Sequence, residues 1–291
     1  MEFRKSISIG IINCWYGQYP WYFPYFIDSC ARNPTIDFIV ITENSAIIPR
    51  KPENVKIIYK TLEEIKTTAS RKFGFPVRLD FVYKLCDYKP AFGFLFPELI
   101  ESYDFWGHGD LDMVYGDIRG FMTEEILNNY DVINSRHDYI SGAFCLFRNK
   151  REINTLFMRS RDYKRVYSSA EHFCFDECSF LWEELARGSS ILDFPDHTES
   201  MTHVVRKAET SGTLNAYFDF IAVEGTPGKI MWDKGKIFYK QKYEAMFYHL
   251  VRFKNECKRR KVLDPIPDVY CFAPTNIIRK ANTGKDRYRR Q

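Results

Sequence analysis

Three short Ile- and Val-rich runs near the start of the chain constrain its fold more than any other feature. The runs are SISIGIIN at 6–13, DFIVITE at 37–43 and VKIIY at 55–59. Continuous apolar runs bounded by turn residues are typical of strands that are buried on both faces, as in a mostly parallel sheet. The N-terminal half therefore predicts a layered α/β fold.

Helical segments separate these runs. An aromatic-rich segment predicts a helix that begins near Trp21 and ends before Pro34. Thr61 and Glu64 form a capping-box pattern, which predicts the start of another helix that ends near Gly74. The order strand, helix, strand, strand, helix is the opening of a Rossmann-like, mostly parallel central sheet flanked by helices.

The middle of the chain continues this alternation. We predict a helix after Pro90, a buried strand at 103–110, helices at 117–130 and 175–188, and strands at 131–135 and 139–149. From about residue 190 the pattern loosens into short strands and loops, with 244–253 as the clearest late strand. We therefore predict a single domain over 1–262 with an irregular C-terminal half, followed by a basic tail over 263–291.

Composition and the distribution of apolar residues exclude several classes of protein. With 291 residues, 45% of them hydrophobic, the chain can bury a large core, and its net charge of +4 indicates no nucleic-acid partner. The first residues lack a signal-peptide pattern, and no stretch approaches the roughly 20 apolar residues of a membrane span. The eight cysteines are scattered, so we expect reduced packing cysteines, with Cys174 and Cys178 on one helix face. These observations predict a cytoplasmic protein.

Acidic residues cluster where the predicted strand at 103–110 ends. Asp110 and Asp112 are two apart, so in an extended segment both carboxylates point the same way, where they repel unless a cation intervenes. Mg²⁺ or Mn²⁺ held by few carboxylates and completed by substrate phosphates suits this arrangement. The functional interpretation is a metal–diphosphate site, and the structural alternative is a pair of ordinary loop carboxylates. Asp117 is expected to be a helix N-cap.

The surroundings of this DxD motif resemble GT-A type glycosyltransferases, in which DxD binds the metal and diphosphate of a nucleotide sugar. The segments at 14–43, 84–96 and 104–118 are similar to an uncharacterised bacterial glycosyltransferase family found among surface-polysaccharide genes. The resemblance extends over roughly 7–150 and again near 244–254. It implies a metal-dependent hexosyltransferase that uses a nucleotide-diphosphate sugar, with a UDP-sugar as the expected donor. The implied acceptor is a hydroxyl of a glycan or a lipid-linked sugar.

The resemblance also implies roles for residues before the motif. KLCDYK is similar to the basic and acidic cluster that helps to hold the nucleotide sugar in capsular and mannosyl-type transferases, which implies this role for Lys84, Asp87 and Lys89. This chain departs from that pattern, because its second basic residue comes one position early and the gap to DxD is longer. An ion pair on a helix surface is the structural alternative for Lys84 and Asp87.

A late segment, FYHLVRFK at 247–254, resembles the part of such enzymes that supplies a third metal ligand and a phosphate partner. It implies His249 as the ligand, together with Arg252 or Lys254 on the diphosphate. Imidazole is compatible with Mn²⁺. The alternative is a hydrogen-bonded packing histidine, and His108 is a lesser ligand candidate.

Further candidates follow the strand that contains SGAF. By the same resemblance, an acidic residue at the start of the next helix faces the donor or acceptor and is the catalytic base in inverting members, which implies Asp176 or Glu177, with Asp176 preferred. Helix N-capping is the structural alternative for Asp176. Gly142 would line the sugar pocket, since a residue without a side chain allows close approach of a ring.

Two aromatic residues follow the first strand. Trp15 and Tyr16 are candidates for stacking on the nucleobase, because rings at this end of a parallel sheet face the ligand crevice. Core packing is the equal alternative for both.

Two rival functions and one further partner complete the hypotheses. A haloacid-dehalogenase-like phosphatase generally has Thr after its DxD, where this chain has Met113. A non-catalytic carbohydrate-binding protein or degenerate transferase would keep the aromatic residues without turnover. The basic run at 258–261 could contact the anionic inner face of a membrane, although solvated charge is the simpler interpretation.

Overall fold

The computed structural model describes residues 6–224 and 227–280. The strands in these residues are β1 (Ile9–Trp15), β2 (Ile36–Thr42), β3 (Val55–Tyr59), β4 (Phe105–Gly109), β5 (Met113–Tyr115), β6 (Val132–Asn134), β7 (Phe144–Arg148), β8 (Ala216–Phe218), β9 (Ala222–Glu224), β10 (Ile230–Asp233), β11 (Lys236–Tyr239), β12 (Tyr243–Ala245), β13 (Phe247–His249), β14 (Val269–Phe272) and β15 (Ile277–Arg279).

Most of the helices are short. The α-helices are α1 (Phe23–Ala31), α2 (Leu62–Phe73), α3 (Phe92–Leu95), α4 (Pro97–Ile100), α5 (Ile118–Phe121), α6 (Glu124–Asn129), α7 (Arg151–Asn154), α8 (Tyr163–Ser168), α9 (Trp182–Ala186), α10 (Met201–Thr210) and α11 (Phe253–Glu256). Segments of 3₁₀-helix lie at Val82–Ala91, Leu156–Arg159 and Ile191–Asp193.

A seven-stranded sheet with strand order β3-β2-β1-β4-β7-β6-β8 forms the centre of the molecule. The pairs β1–β2, β1–β4, β2–β3 and β6–β8 are parallel, whereas β7 runs antiparallel to both β4 and β6. The predicted α/β fold with a mostly parallel central sheet is therefore confirmed. Strand β4 lies where the parallel and antiparallel parts of the sheet meet.

Both faces of this sheet are buried. Ile12 and Ile39 belong to a core on one face, to which α2, α3 and α10 contribute. Ile11 and Val40 belong to a core on the other face, with α1, α5 and α6. Side chains alternate along each strand, so apolar residues at consecutive positions supply both cores. The continuous apolar runs in the sequence thus have a direct structural cause.

Several local predictions are confirmed. Thr61 and Glu64 form the capping box of α2, and Gly74 ends this helix with φ at 77°. The predicted N-cap Asp117 accepts a hydrogen bond from the amide of Gly120 at 3.0 Å. These motifs were readable because each satisfies helix-end amides with a neighbour three residues away.

The predicted helix at 175–188 is wrong over its first half. Only α9 is helical there, and the preceding residues form tight turns in which Ser179 and Phe180 have φ of 57° and 66°. Asp176 therefore does not cap a helix, and Cys174 and Cys178 are buried free thiols in the turns rather than on a helix face. The amphipathic spacing was misleading because turns can bury the same side chains.

The C-terminal half is more regular than the sequence suggested. β12, β11, β10, β14 and β15 form an antiparallel sheet in that order, and β13 lies between β5 and β9 in a three-stranded sheet. The predicted late strand at 244–253 is interrupted, since β13 ends at His249 and a turn leads into α11. The helix α10 was not predicted.

The fold extends past residue 262, where the predicted tail begins. Strand β14 pairs with β10 and β15 pairs with β14, so residues up to 280 include part of a sheet. Residues 281–291 of the predicted tail lie outside the described residues. Within 6–224 and 227–280, none of the helices has the length and hydrophobicity to span a bilayer.

Candidate functional site

The first acidic residue of the DxD motif lies directly beyond the carboxyl end of β4. All five residues of β4 are buried. The backbone of Asp110 is held by neighbours on both sides, since its amide donates to the Ala143 carbonyl at 3.2 Å and its carbonyl accepts from Asn13 Nδ2 at 3.3 Å. The centre of the sheet therefore fixes the start of the motif at the edge where ligands bind in α/β proteins.

The three-stranded sheet brings a distant histidine to this motif. β5 follows Asp112 and pairs antiparallel with β13, in a register that places His249 opposite Met113. The amide of Leu250 donates to the Asp112 carbonyl at 2.8 Å, which continues the pairing past the strand. Backbone pairing, rather than side-chain contact alone, thus sets the distance between Asp112 and His249.

Asp110, Asp112 and His249 form a cluster in which one potential ligand atom from each residue lies within 4.8 Å of the others. Nε2 of His249 lies 3.5 Å from Oδ2 of Asp112, and the same oxygen accepts from Lys254 Nζ at 2.7 Å. Burial alone would raise the pKa of Asp112, but His249 and Lys254 outweigh it and hold that pKa well below its usual value. Asp112 is therefore ionised at neutral pH.

The other ring nitrogen of His249 has a partner that the sequence did not reveal. Nδ1 lies 3.2 Å from Oε1 of Glu224, because β9 pairs parallel with β13 and places these two residues opposite each other. Arg136 bonds the second oxygen of Glu224. Burial lowers the pKa of His249, but the carboxylates of Asp112 and Glu224 raise it to about 10. Histidines that bind metals commonly have such a carboxylate on the far nitrogen, so Nε2 is the atom that would face a cation, and binding would displace the proton that the raised pKa keeps there.

Lys89 joins the DxD motif to the predicted catalytic residues. Its buried Nζ donates to Oδ1 of Asp110 at 2.7 Å and to the Gly142 carbonyl at 2.8 Å, and lies 3.7 Å from Oδ2 of Asp176. Burial opposes the charge, but Asp110 and the other anionic groups around the amine raise the pKa of Lys89 well above its usual value. Lys89 is thus a fixed positive charge between two carboxylates.

Asp176, Glu177 and Gly142, three of the candidates that the resemblance implied, pack together. Glu177 accepts a hydrogen bond from the Gly142 amide at 2.9 Å, and a Cβ on Gly142 would lie 2.6 Å from Oδ2 of Asp176. Only glycine fits this contact. Burial and the surrounding carboxylates raise the pKa of Asp176 well above its usual value despite Lys89, so a proton is held more tightly there than on an exposed carboxylate.

Lys84 and Asp87 are enclosed in protein next to Asp176, with an oxygen of Asp87 within 4.8 Å of one of Asp176. Both side chains are fully buried and form an ion pair at 2.8 Å, and Lys84 also bonds the carbonyls of Val166 and Glu171. Oxygens of Asp87 accept from the amides of Phe173 and Phe175. The predicted contact with the nucleotide sugar is therefore corrected, since the pair is enclosed in protein and holds the backbone that leads to Asp176.

The remaining candidates are spread around the site. Tyr16 is buried in the core beside β2 and donates to the Lys60 carbonyl, so it packs as the structural alternative described. Trp15 is partly exposed at the end of β1, with its Nε1 donating to the Gln18 carbonyl at 3.0 Å. Arg252 is exposed in the turn before α11. His108 is fully buried within β4 and is not part of the cluster.

Two contacts of the site had no signal in the sequence. Glu224 lies 25 residues before His249, and Trp182 donates its Nε1 to Oε2 of Glu177 at 2.8 Å. The contact between Glu224 and His249 depends on strand pairing, and the contact between Trp182 and Glu177 depends on the turns at 174–181. The periodicity of apolar residues predicts neither.

The donor set fits a divalent cation. Two carboxylates and an imidazole whose far nitrogen is already held by Glu224 are ligands suited to Mn²⁺. Lys254 contacts the cluster and supplies positive charge suited to a diphosphate, and Arg252 is exposed two residues before it. The arrangement can therefore hold a cation and an anionic group side by side.

The structure is similar to several solved transferases at low sequence identity. The galactosyltransferase LgtC, in complex with donor and acceptor sugar analogs, is 12% identical over 56% of this chain and 66% of that chain, with a TM-score of 0.32. The apo form of mouse xyloside xylosyltransferase 1 is 9% identical over 84% of this chain and 97% of that chain, with a TM-score of 0.45. The bifunctional glycosyltransferase WbbM, also apo, is 10% identical over 75% of this chain and 40% of that chain, with a TM-score of 0.39.

The match spans slightly less than two thirds of the galactosyltransferase chain. No curated protein matches the chain in sequence. A family model matches residues 11–281, which is most of the chain. The chain therefore belongs to that family, the family of unknown function DUF6625.

Proposed function

We propose that the protein is a GT-A type, metal-dependent glycosyltransferase that moves a hexose from a nucleotide-diphosphate sugar, with a UDP-sugar as the expected donor. The acceptor is a hydroxyl of a glycan or of a lipid-linked sugar in bacterial surface-polysaccharide synthesis. The observation that carries the proposal is the convergence of Asp110, Asp112 and His249 within 4.8 Å. Strand pairing brings these residues together from distant parts of the chain at the ligand-binding edge of the sheet.

Asp110, Asp112 and His249 would hold Mn²⁺ or Mg²⁺, which when bound neutralises charge that develops on the departing nucleoside diphosphate. Lys254 and Arg252 bind the diphosphate from the same side. Lys254 already contacts Asp112 at 2.7 Å, so a modest movement of its flexible side chain transfers the amine to a phosphate oxygen. Trp15 is the partly exposed candidate for contact with the nucleobase.

The sugar lies against Asp176 and Glu177, whose carboxylates occupy the space that a side chain at residue 142 would take. Asp176 or Glu177 accepts the proton of the acceptor hydroxyl in an inverting reaction. Lys89 links this carboxylate pair to Asp110 and stabilises the negative charge on both sides. Lys84 and Asp87 act through the backbone at 173–175, which they hold in place.

A non-catalytic carbohydrate-binding role is the second candidate, and one observation favours it. Lys89 and Lys254 already bond carboxylate oxygens of Asp110 and Asp112, so the acidic pair is neutralised without a cation. In that case the carboxylates are structural, and glycan binding is independent of metal.

Thermal unfolding with nucleotides separates the two candidates. UDP, GDP, UDP-sugars and GDP-sugars are each tested with and without Mn²⁺, since a ligand at about 100 times its Kd adds roughly 2.7 kcal/mol to stability. A transferase is stabilised by one nucleotide class only with metal present, and Asp110→Ala abolishes this shift. If a well-folded protein shows no metal-dependent nucleotide shift, the transferase proposal fails.

Location is part of the same proposal. A lipid-linked acceptor would place the protein in the cytoplasm at the inner face of the membrane, where Lys258, Arg259, Arg260 and Lys261 are exposed for peripheral contact with anionic lipid. Binding to vesicles with and without phosphatidylglycerol tests this contact. The expected result is retention only on the anionic vesicles, weakened by salt.

A further inference from the structure

Three large aromatic side chains are exposed next to the Asp176–Glu177 pair. Tyr83, Phe180 and Trp182 are 65%, 49% and 40% exposed. Such residues are normally buried, and most of the other aromatic side chains of the described chain are. An exposed group of them indicates a surface that binds something.

The rings form a continuous row. The ring of His172 lies 4.7 Å from that of Tyr83 and 5.6 Å from that of Phe180, in edge-to-face geometry. Phe180 in turn lies 5.5 Å from Trp182. We call these four residues, Tyr83, His172, Phe180 and Trp182, the aromatic row.

The backbone that presents the row is strained. Ser179 and Phe180 both have positive φ, at 57° and 66°, and a bulky residue rarely adopts this conformation. Backbone strain of this kind costs on the order of 1–3 kcal/mol for each residue and is concentrated at functional sites. Its effect here is to hold the Phe180 ring in solvent, where packing alone would not place it.

Hydrogen bonds connect the row to the proposed active site. Trp182 Nε1 donates to Oε2 of Glu177 at 2.8 Å, while Oε1 of the same carboxylate accepts from the Gly142 amide at 2.9 Å. One end of the row therefore lies at the proposed catalytic base, and the other faces solvent.

We propose that the aromatic row is the platform that binds a sugar ring of the acceptor glycan. A pyranose has one face of C–H groups that packs on aromatic rings and hydroxyls that bond carboxylates, and the site offers both kinds of surface side by side. A purely apolar ligand would remove water from the partly exposed Glu177 without offering a hydrogen bond in its place. The inference rests on the proposed function only in naming this glycan as the acceptor.

Glycan binding in the absence of metal and nucleotide tests the inference. The full chain is passed over immobilised oligosaccharides that end in galactose, glucose, mannose, rhamnose or N-acetylhexosamine, with EDTA present. We expect the protein to be retained by one terminal sugar, and Phe180→Ala and Trp182→Ala to weaken that binding by at least about fivefold through lost stacking. Trp182→Phe retains most of the binding because the ring remains. Tyr243→Ala, which removes an aromatic ring that is 54% exposed on β12, is the matched control and changes nothing.

The Mn²⁺-dependent nucleotide shift is measured on the same variants. A variant that loses glycan binding but keeps the nucleotide shift supports the inference. A variant that loses both has unfolded at the turns, and Tyr83→Ala is then tested in place of Phe180→Ala and Trp182→Ala. The inference is overturned if glycan binding is unchanged in Phe180→Ala, Trp182→Ala and Tyr83→Ala. It is also overturned if none of the immobilised sugars retains the wild-type protein. If the wild-type protein binds lipid vesicles and the same variants lose that binding, the aromatic row is a membrane contact and the inference is overturned. A missing nucleotide shift with glycan binding intact removes only the proposed transferase function.

Discussion

The contact between His249 and Glu224 determines which nitrogen of the histidine is available to a cation. Glu224→Gln keeps the size of the side chain but removes its charge, so the imidazole is held less firmly in the orientation that leaves Nε2 free. We expect Mn²⁺ affinity to fall by about 10- to 100-fold, measured by electron paramagnetic resonance of free Mn²⁺. Glu244→Gln, on a carboxylate that pairs with Lys236 in another sheet, leaves the affinity unchanged. Equal affinity in Glu224→Gln and wild type would show that the charge of Glu224 does not orient His249 for metal binding.

The substitution Gly142→Ala is expected to abolish turnover while metal binding is kept. Gly142→Ala places a Cβ 2.6 Å from Asp176 and 2.9 Å from Glu177, so both carboxylates must move while Asp110 and Asp112 stay in place. We expect a fall in stability of about 1–3 kcal/mol, loss of transfer to acceptor, and an intact Mn²⁺-dependent nucleotide shift. Full activity in this variant would mean that neither carboxylate contacts the reacting hydroxyl.

The segment from 82 to 91 illustrates an element whose function was misread. We predicted from its motif KLCDYK that it binds the donor. In the structure the motif is part of a 3₁₀-helix, and the side chains of Lys84 and Asp87 are buried. Lys89, at the far end of the element, contacts Asp110 of the DxD motif. Sequence spacing cannot distinguish these cases, because an ion pair that holds a loop and one that holds a ligand use the same residues.

Removing one member of this buried ion pair tests that structural role. Lys84→Met leaves the Asp87 carboxylate buried without its counter-ion, so we expect unfolding in urea to show a loss of about 3–5 kcal/mol. Glu183→Gln removes an exposed pair with Arg187 and is expected to cost less than about 1 kcal/mol. If Lys84→Met were as stable as Glu183→Gln, the pair would not anchor the segment before Asp176.

Across the whole molecule, the sequence predicted the parts that local rules determine. The strands β1 to β4 were readable because each is a short segment rich in apolar or aromatic residues, and Asp110 and Asp112 stood out because they follow one. The partners Glu224 and Trp182 come from strand register and from turns with positive φ, which depend on contacts far apart in the chain. The sequence therefore indicated which residues to consider for the candidate site but not which side chains hold them in place.

The five-stranded sheet also supports the site, which makes the C-terminal segment essential to it. Phe272 of β14 contacts Phe253 at the start of α11, with ring centroids 5.3 Å apart, and the next residue is the Lys254 that bonds Asp112. A chain that ends at residue 262 loses β14 and β15 and exposes Trp232, which stacks on Tyr270. We expect this chain to aggregate or to melt far below the full-length protein, whereas a chain that ends at 280 keeps its melting temperature and its Mn²⁺-dependent nucleotide shift. Calorimetry and gel filtration compare the two. A stable, nucleotide-binding chain of 262 residues would show that the proposed site folds independently of this sheet.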